Sequence, residues 1–212
     1  MLIEKDTIKC ESIFNDERTH RYLCKRVWDK TKPLVAVLML NPCHADNIMN
    51  DSTTTYVVNN VASLEKYGGV VVVNLYSKLT VKLNFRWNGD DDLNHKDNDT
   101  YIVKAAEECE TVILAWGRGA DTHKRITTRA DEVLKLLQPY KEKLMVISDG
   151  ERDGLHPLTP SIRSKWQLKP YKFEDQAVQK EKPVNEEKTV KEENNVPVGN
   201  TAGTYKNCKK GG

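Results

Sequence analysis

Four short runs constrain this chain more than any other feature: Leu34–Leu40 (LVAVLML), Val70–Leu75 (VVVVNL), Thr111–Trp116 (TVILAW) and Leu144–Ser148 (LMVIS). Each is too short for a stable helix and too continuously apolar for a strand with one wet face. Strands read this way when helices cover both faces of a parallel sheet. Between the runs lie stretches with helical spacing. The first starts at Asp51-Ser52, which offers an N-cap, and runs to about Tyr67, where Gly68-Gly69 would stop it. The second covers about 98–108. The third, about 122–137, carries Ile126, Ala130, Val133, Leu134 and Leu137 on one stripe and stops before Pro139.

Strand and helix in alternation imply right-handed βαβ units, hence an α/β fold: a three-layer α/β/α sandwich around a mainly parallel four-stranded sheet. Ahead of it, Ile8–Phe14 and Arg21–Trp28 flank a polar turn and read as an N-terminal β-hairpin, residues 8–28, packed beside a core of 33–170. The domain is expected to span 1–173. From Glu174 the composition changes: the last 39 residues hold seven acidic and seven basic side chains, one aromatic and few aliphatics. Such a stretch cannot offset its ordering entropy by burial and reads as a disordered charged tail, 174–212, of unknown partner.

The tail's charges cancel, so the domain keeps the net +2 of the whole chain, too balanced for a protein that coats nucleic acid by bulk charge. A local basic patch is still available from Lys78, Lys82, Arg86, Arg118, Lys124, Arg125, Arg163 and Lys165. No long apolar run suggests a membrane span. Five cysteines without a CxxC pair read as reduced thiols, which points to the cytoplasm.

Function in an open α/β sheet collects outside the carboxyl ends of the strands. Here those ends lead into Asn41-Pro42-Cys43-His44-Ala45-Asp46, into Asn74-Leu75-Tyr76-Ser77, into Trp116-Gly117-Arg118-Gly119, and through Asp149-Gly150 to His156-Pro157-Leu158-Thr159-Pro160-Ser161. A lone amide inside a buried strand, Asn74, must find partners and therefore favours a site. His44, Asp46, His95 and the Asp90–Asp92 run match no standard zinc spacing, and Gly117-Arg118-Gly119 lacks the spacing of a P-loop or dinucleotide fingerprint. No metal and no cofactor is called for.

The matching stretches His20-Arg21-Tyr22-Leu23, Met39-Leu40-Asn41-Pro42, Ala45-Asp46, Asp51-Ser52-Thr53, Val72-Val73-Asn74-Leu75, Ala115-Trp116-Gly117 and His156-Pro157-Leu158 resemble the domain-of-unknown-function 1643 family of bacteria and phages. Where that family typically has Asn-Pro-Ser-Thr-Ala-Asp, this chain has Asn-Pro-Cys-His-Ala-Asp. In motif order the chain is also similar, more distantly, to the uracil-DNA glycosylase superfamily. That resemblance implies roles residue by residue. Asn41 would position the attacking water and His156 would stabilise charge on the departing base. Asn74 would read the base edge, with Pro42, Tyr76 and Trp116 around the base, and Tyr76, Phe85 and Trp116 are the candidates for the aromatic that stacks on it. Arg118, Ser161 and Arg163 would contact phosphate or nucleic acid, Leu158–Ile162 would probe the gap left by an extruded nucleotide, and His44 and Asp46 are secondary candidates. The efficient uracil-removing branch carries aspartate where Asn41 stands; an amide cannot take a proton from water, so hydrolysis would rest on positioning and electrostatics. Three functions follow: a glycosylase-like enzyme acting on a base in nucleic acid, a module that captures a free nucleotide or nucleotide messenger without cleaving it, and an accessory interaction protein.

Overall fold

The computed structural model describes residues 1–43, 47–118 and 123–173; the expected tail lies outside the described residues. Seven strands form one mixed sheet: β1 (Lys9–Phe14), β2 (Arg21–Val27), β3 (Leu34–Met39), β4 (Gly69–Asn74), β5 (Thr111–Leu114), β6 (Leu144–Ser148) and β7 (Gln167–Pro170). Their order is β1-β2-β4-β3-β5-β6-β7. The four apolar runs are β3 to β6, adjacent in the sheet and parallel to one another. The expected four-stranded sheet is therefore only the centre of a larger one. β2 adds antiparallel to β4 and β7 antiparallel to β6, so half of the strand pairings are antiparallel. The hairpin 8–28 does not pack beside the sheet. It extends the hydrogen-bonded ladder, with Cys24 opposite Val72 and Val27 opposite Gly69.

Alternation along the central strands builds two cores. Ala36, Leu38, Val71, Val73, Val112 and Leu114 point to one face and meet Ile102, Ala105, Ala106, Ile126, Ala130 and Val133. Those six belong to α3 (Asn98–Glu108) and α4 (Lys124–Leu136), whose stripes the periodicity locates. Val35, Val37, Met39, Val70, Val72 and Ile113 point to the other face, where α1 (Ser52–Ser63) brings Val57 and Val61. Strands buried on both faces need no polar alternation, which is why they read as unbroken apolar runs. A further short helix, α2, covers Asp90–Leu93.

Helix α1 starts as the N-cap signal indicates, Asp51 Oδ1 accepting from the Thr54 N–H at 2.7 Å. It ends four residues before Tyr67, because Glu65 takes a left-handed conformation at φ 54° and reverses the chain. After α4, the Pro139 turn is a 3-10 segment, 138–143, leading straight into β6. Among the described residues no helix is long and apolar enough to cross a membrane.

Candidate functional site

The carboxyl ends of β3 and β5, the loop after β6 and the start of α1 enclose a cavity of about 360 Å³. Asn41, Trp116, His156 and Leu158 line it, together with Arg21, Met39, Cys43 and the residues 51–54. The β3–β4 ladder continues past the strands, through Leu75 N–H to the Met39 carbonyl and Tyr76 N–H to the Leu40 carbonyl, and this carries the chain to Asn41. Both amide hydrogens of Asn41 are committed: Nδ2 donates to the Thr80 carbonyl at 2.7 Å and to its neighbour Pro42's carbonyl at 3.2 Å. The Thr80 N–H in turn donates to the Pro42 carbonyl. Flipping the amide would cost both bonds, so Oδ1 remains as a fixed acceptor at the cavity. Pro42 itself is buried beneath this junction.

His156 is held from two sides. Its Nδ1 accepts the Leu158 N–H at 3.1 Å, and its carbonyl accepts the Thr159 N–H. Burial pushes its pKa down, against an opposing pull from the Asp51 carboxylate. A ring that is neutral and accepts through Nδ1 must carry its proton on Nε2, so the imidazole offers one N–H donor. Gly117 fixes where the ring sits: its φ is +76°, and a Cβ there would lie 2.6 Å from the His156 Cβ. Trp-Gly at the end of β5 is thus a seat for the histidine as well as a turn.

The loop carrying His156 is clamped outside the cavity. Asp149 binds Arg152 at 2.6 Å and Ser161 at 2.8 Å, and these bonds hold its carboxyl far below the usual range. Arg163 donates to the Leu158 carbonyl, and its own carbonyl accepts from Asn60 on α1. Ser161 and Arg163 are exposed and in this structure anchor the loop; neither lines the cavity.

Asn74 closes β4 with 1% of its surface exposed, and among the described residues its Nδ2 has no hydrogen-bond partner. By alternation it shares the α1 face with Val70 and Val72, and it lies in register beside Met39, which lines the cavity. Its backbone carbonyl is capped from the other face by Asn98 Nδ2 at 3.0 Å. Neither Asn74 nor Tyr76 is among the residues that line the cavity. Tyr76 packs on the α3–α4 face, donating to the Arg125 carbonyl at 3.0 Å and meeting Phe85 edge-on, and it lines a separate depression with Asp90, Arg125 and Arg129. Burial raises its phenol to about 12. Trp116 sits between the main cavity and a smaller one of about 190 Å³ that Arg118 lines. His44 and Asp46 lie outside the described residues.

The sequence places Asp51 as an N-cap but gives neither it nor Arg21 a part in the site. Arg21 is 3% exposed yet charged; burial lowers its pKa while Asp51 and other neighbours act against this. β2 also carries Lys25 and Arg26, so nothing in the sequence sets Arg21 apart, and only the β2–β4 pairing shows that it borders the crevice. Among the described residues no three His, Cys, Asp or Glu side chains are close enough to hold a metal ion.

No curated protein and no solved structure matches the chain. The model of the family described as Protein of unknown function (DUF1643) matches residues 21–158, which takes in β2 through the His156 loop. With well over half of its length matched, including every strand end that builds the cavity, the chain belongs to the DUF1643 family.

Proposed function

We propose that the cavity recognises a nucleobase in nucleic acid, and that the site hydrolyses its N-glycosidic bond in the manner of the uracil-DNA glycosylase superfamily. The observation that carries this reading is that His156, with Nδ1 occupied by the Leu158 N–H and Nε2 left to face a ligand, lines the same cavity as Asn41, whose Nδ2 is committed and whose Oδ1 remains. As the C1′–N bond breaks, its electron pair leaves with the base, and a neutral N–H donor aimed at the base carbonyl stabilises that charge. A water oriented by Asn41 Oδ1 adds to C1′ and releases its proton to the departing base or to solvent. Asn41 takes up no proton itself. The four parallel strands stand for the sheet of that superfamily, and Asn74, with an unpaired amide beside Met39, for its base-reading residue.

A second reading has its own support. Arg21 and the N-terminus of α1 give the cavity a place for an anion, as capture of an intact nucleotide requires. One experiment separates the two. Purified protein is incubated with nucleotides, nucleotide messengers and base-modified oligonucleotides, and the solution and heat-denatured protein are analysed by mass spectrometry. Free base with an abasic product, lost in Asn41→Ala and His156→Ala, is the expected result. An intact nucleotide released only on denaturation selects capture instead, and neither outcome across a broad panel refutes the pocket.

A further inference from the structure

A rigid turn leading away from the cavity bears an exposed tryptophan between cationic side chains. Val81 lines the cavity and is 73% exposed, and Trp87 is 75% exposed. Tryptophan is seldom this wet in a folded domain. The segment that carries it is pinned along its length. Thr80 holds Asn41 through its carbonyl, and its Oγ1 bonds the Lys82 carbonyl at 3.0 Å. Asn84 accepts the Arg86 N–H on its side chain, and its carbonyl accepts Asn88 Nδ2 at 2.8 Å. Arg125 Nη1 donates to the carbonyls of Phe85 and Asn88, and the Phe85 ring stacks on His123 at 4.2 Å. Leu83 and Phe85 turn into the core, which leaves Val81, Lys82, Arg86 and Trp87 outward.

The outward charge is positive and available. Arg86 lies over the Trp87 ring at 5.1 Å, and among the described residues neither Lys82 nor Arg86 has an ion pair. Asp90 beyond it is engaged by Arg125 and Asp92 by the Gly89 N–H. A preformed aromatic face with flanking cations, joined to a pocket through Val81, is the arrangement that binds a single strand: bases stack on the ring and phosphates meet the cations.

We infer that residues 81–87 are a platform for single-stranded nucleic acid, so that the base in the cavity belongs to a polynucleotide strand that leaves over Val81 and stacks on Trp87. This deepens the nucleobase reading and rests on it for the strand's point of entry. The test measures fluorescence anisotropy of a labelled single-stranded DNA of about twelve nucleotides, within the usual site size of such surfaces. Binding of a nucleoside monophosphate is followed in parallel, over a salt series. Trp87→Ala is expected to weaken the oligonucleotide about tenfold, the loss of roughly one stacked base, and to leave the mononucleotide unchanged. The pair Lys82→Gln and Arg86→Gln is expected to flatten the log–log salt slope by about 1.4, two phosphate contacts at about 0.7 each. Wild-type oligonucleotide affinity in Trp87→Ala overturns the platform, as does a protein that binds the mononucleotide and no oligonucleotide. If Trp87→Ala weakens binding while His156→Ala and Asn74→Leu do not, the platform stands and the pocket reading falls.

Discussion

Gly117→Ala tests the seating of His156 most directly. The new methyl would stand 2.6 Å from the His156 Cβ and 3.3 Å from its backbone nitrogen, while the backbone stays at φ +76°. Two costs add. A non-glycine residue in the left-handed region costs about 1–2 kcal/mol, and overpacking against atoms that cannot turn away costs roughly 1–3 kcal/mol. The neighbours here are Cβ and backbone, so relief must come from moving the loop that Asp149, Ser161 and Arg163 clamp. Together they imply a loss of about 2–5 kcal/mol and, for a domain of this size, a Tm lower by about 4–20 °C at roughly 2–4 °C per kcal/mol. Gly154→Ala is the control: φ there is +71° and none of the described residues lies within 4 Å of the added methyl, so it incurs the strain without the contact. Thermal unfolding followed by circular dichroism reads both variants, and the His156 ring resonances in NMR report whether the imidazole has moved. Equal Tm values for the two variants, with unmoved His156 resonances, would refute the idea that Gly117 is small for the sake of the histidine.

Asn74→Leu keeps a γ-branched outline but removes an amide nitrogen that is buried without a partner, so stability should be unchanged or rise by about 1 kcal/mol while ligand binding is lost. A Tm drop corresponding to more than about 2 kcal/mol would show that the amide is structural after all. Burial lowers the pKa of both His20 and His156, so below about pH 6.5 the unfolded chain takes up protons that the folded chain refuses. Stability should be flat above that pH and fall as the pH drops from 6.5 toward 5.5, by at most about 1.4 kcal/mol per histidine per pH unit. Asp29, Asp149 and Asp153 are all shifted down and stay ionised throughout that window. Urea titrations at pH 7.5 and 5.5 check this, and the slope should shrink in His156→Gln.

The central strands were legible because their physics is local: β-branched residues dry on both faces leave an unbroken apolar signature. The strands that pair at the edges were not. Gln167–Pro170 is partly exposed throughout and has no pattern to separate it from loop, and the hairpin's attachment to β4 depends on a partner more than 40 residues away. The site divides on similar lines. Asn41, Trp116 and His156 follow strands whose direction the βαβ order fixes, and they do meet at one cavity. Tyr76 is placed with Asn74 around the base only by the resemblance to the uracil-DNA glycosylase superfamily. β4 ends at Asn74, and from there Leu75 and Tyr76 both turn to the α3–α4 face. Arg21 reaches the cavity only because β2 runs antiparallel beside β4, a pairing the sequence does not advertise.

The end of β4 shows how the two faces of the sheet cooperate. Asn98 on α3 donates to the carbonyls of Asn74 and Leu75, and Arg129 on α4 donates to the Leu75 carbonyl at 2.9 Å while its other nitrogens grip Asp99. These side chains all come from the face opposite the cavity. They satisfy carbonyls that the strand leaves unpaired where it stops, and in doing so they fix the backbone from which the Asn74 side chain projects. A buried donor without a partner costs about 1–3 kcal/mol, at a position that follows a run of valines. If the nucleobase reading holds, an unsatisfied amide on a backbone held this firmly is preorganised for a hydrogen-bonding ligand: the desolvation cost is already met in the folded protein, and a base edge that reached Nδ2 would recover it on binding.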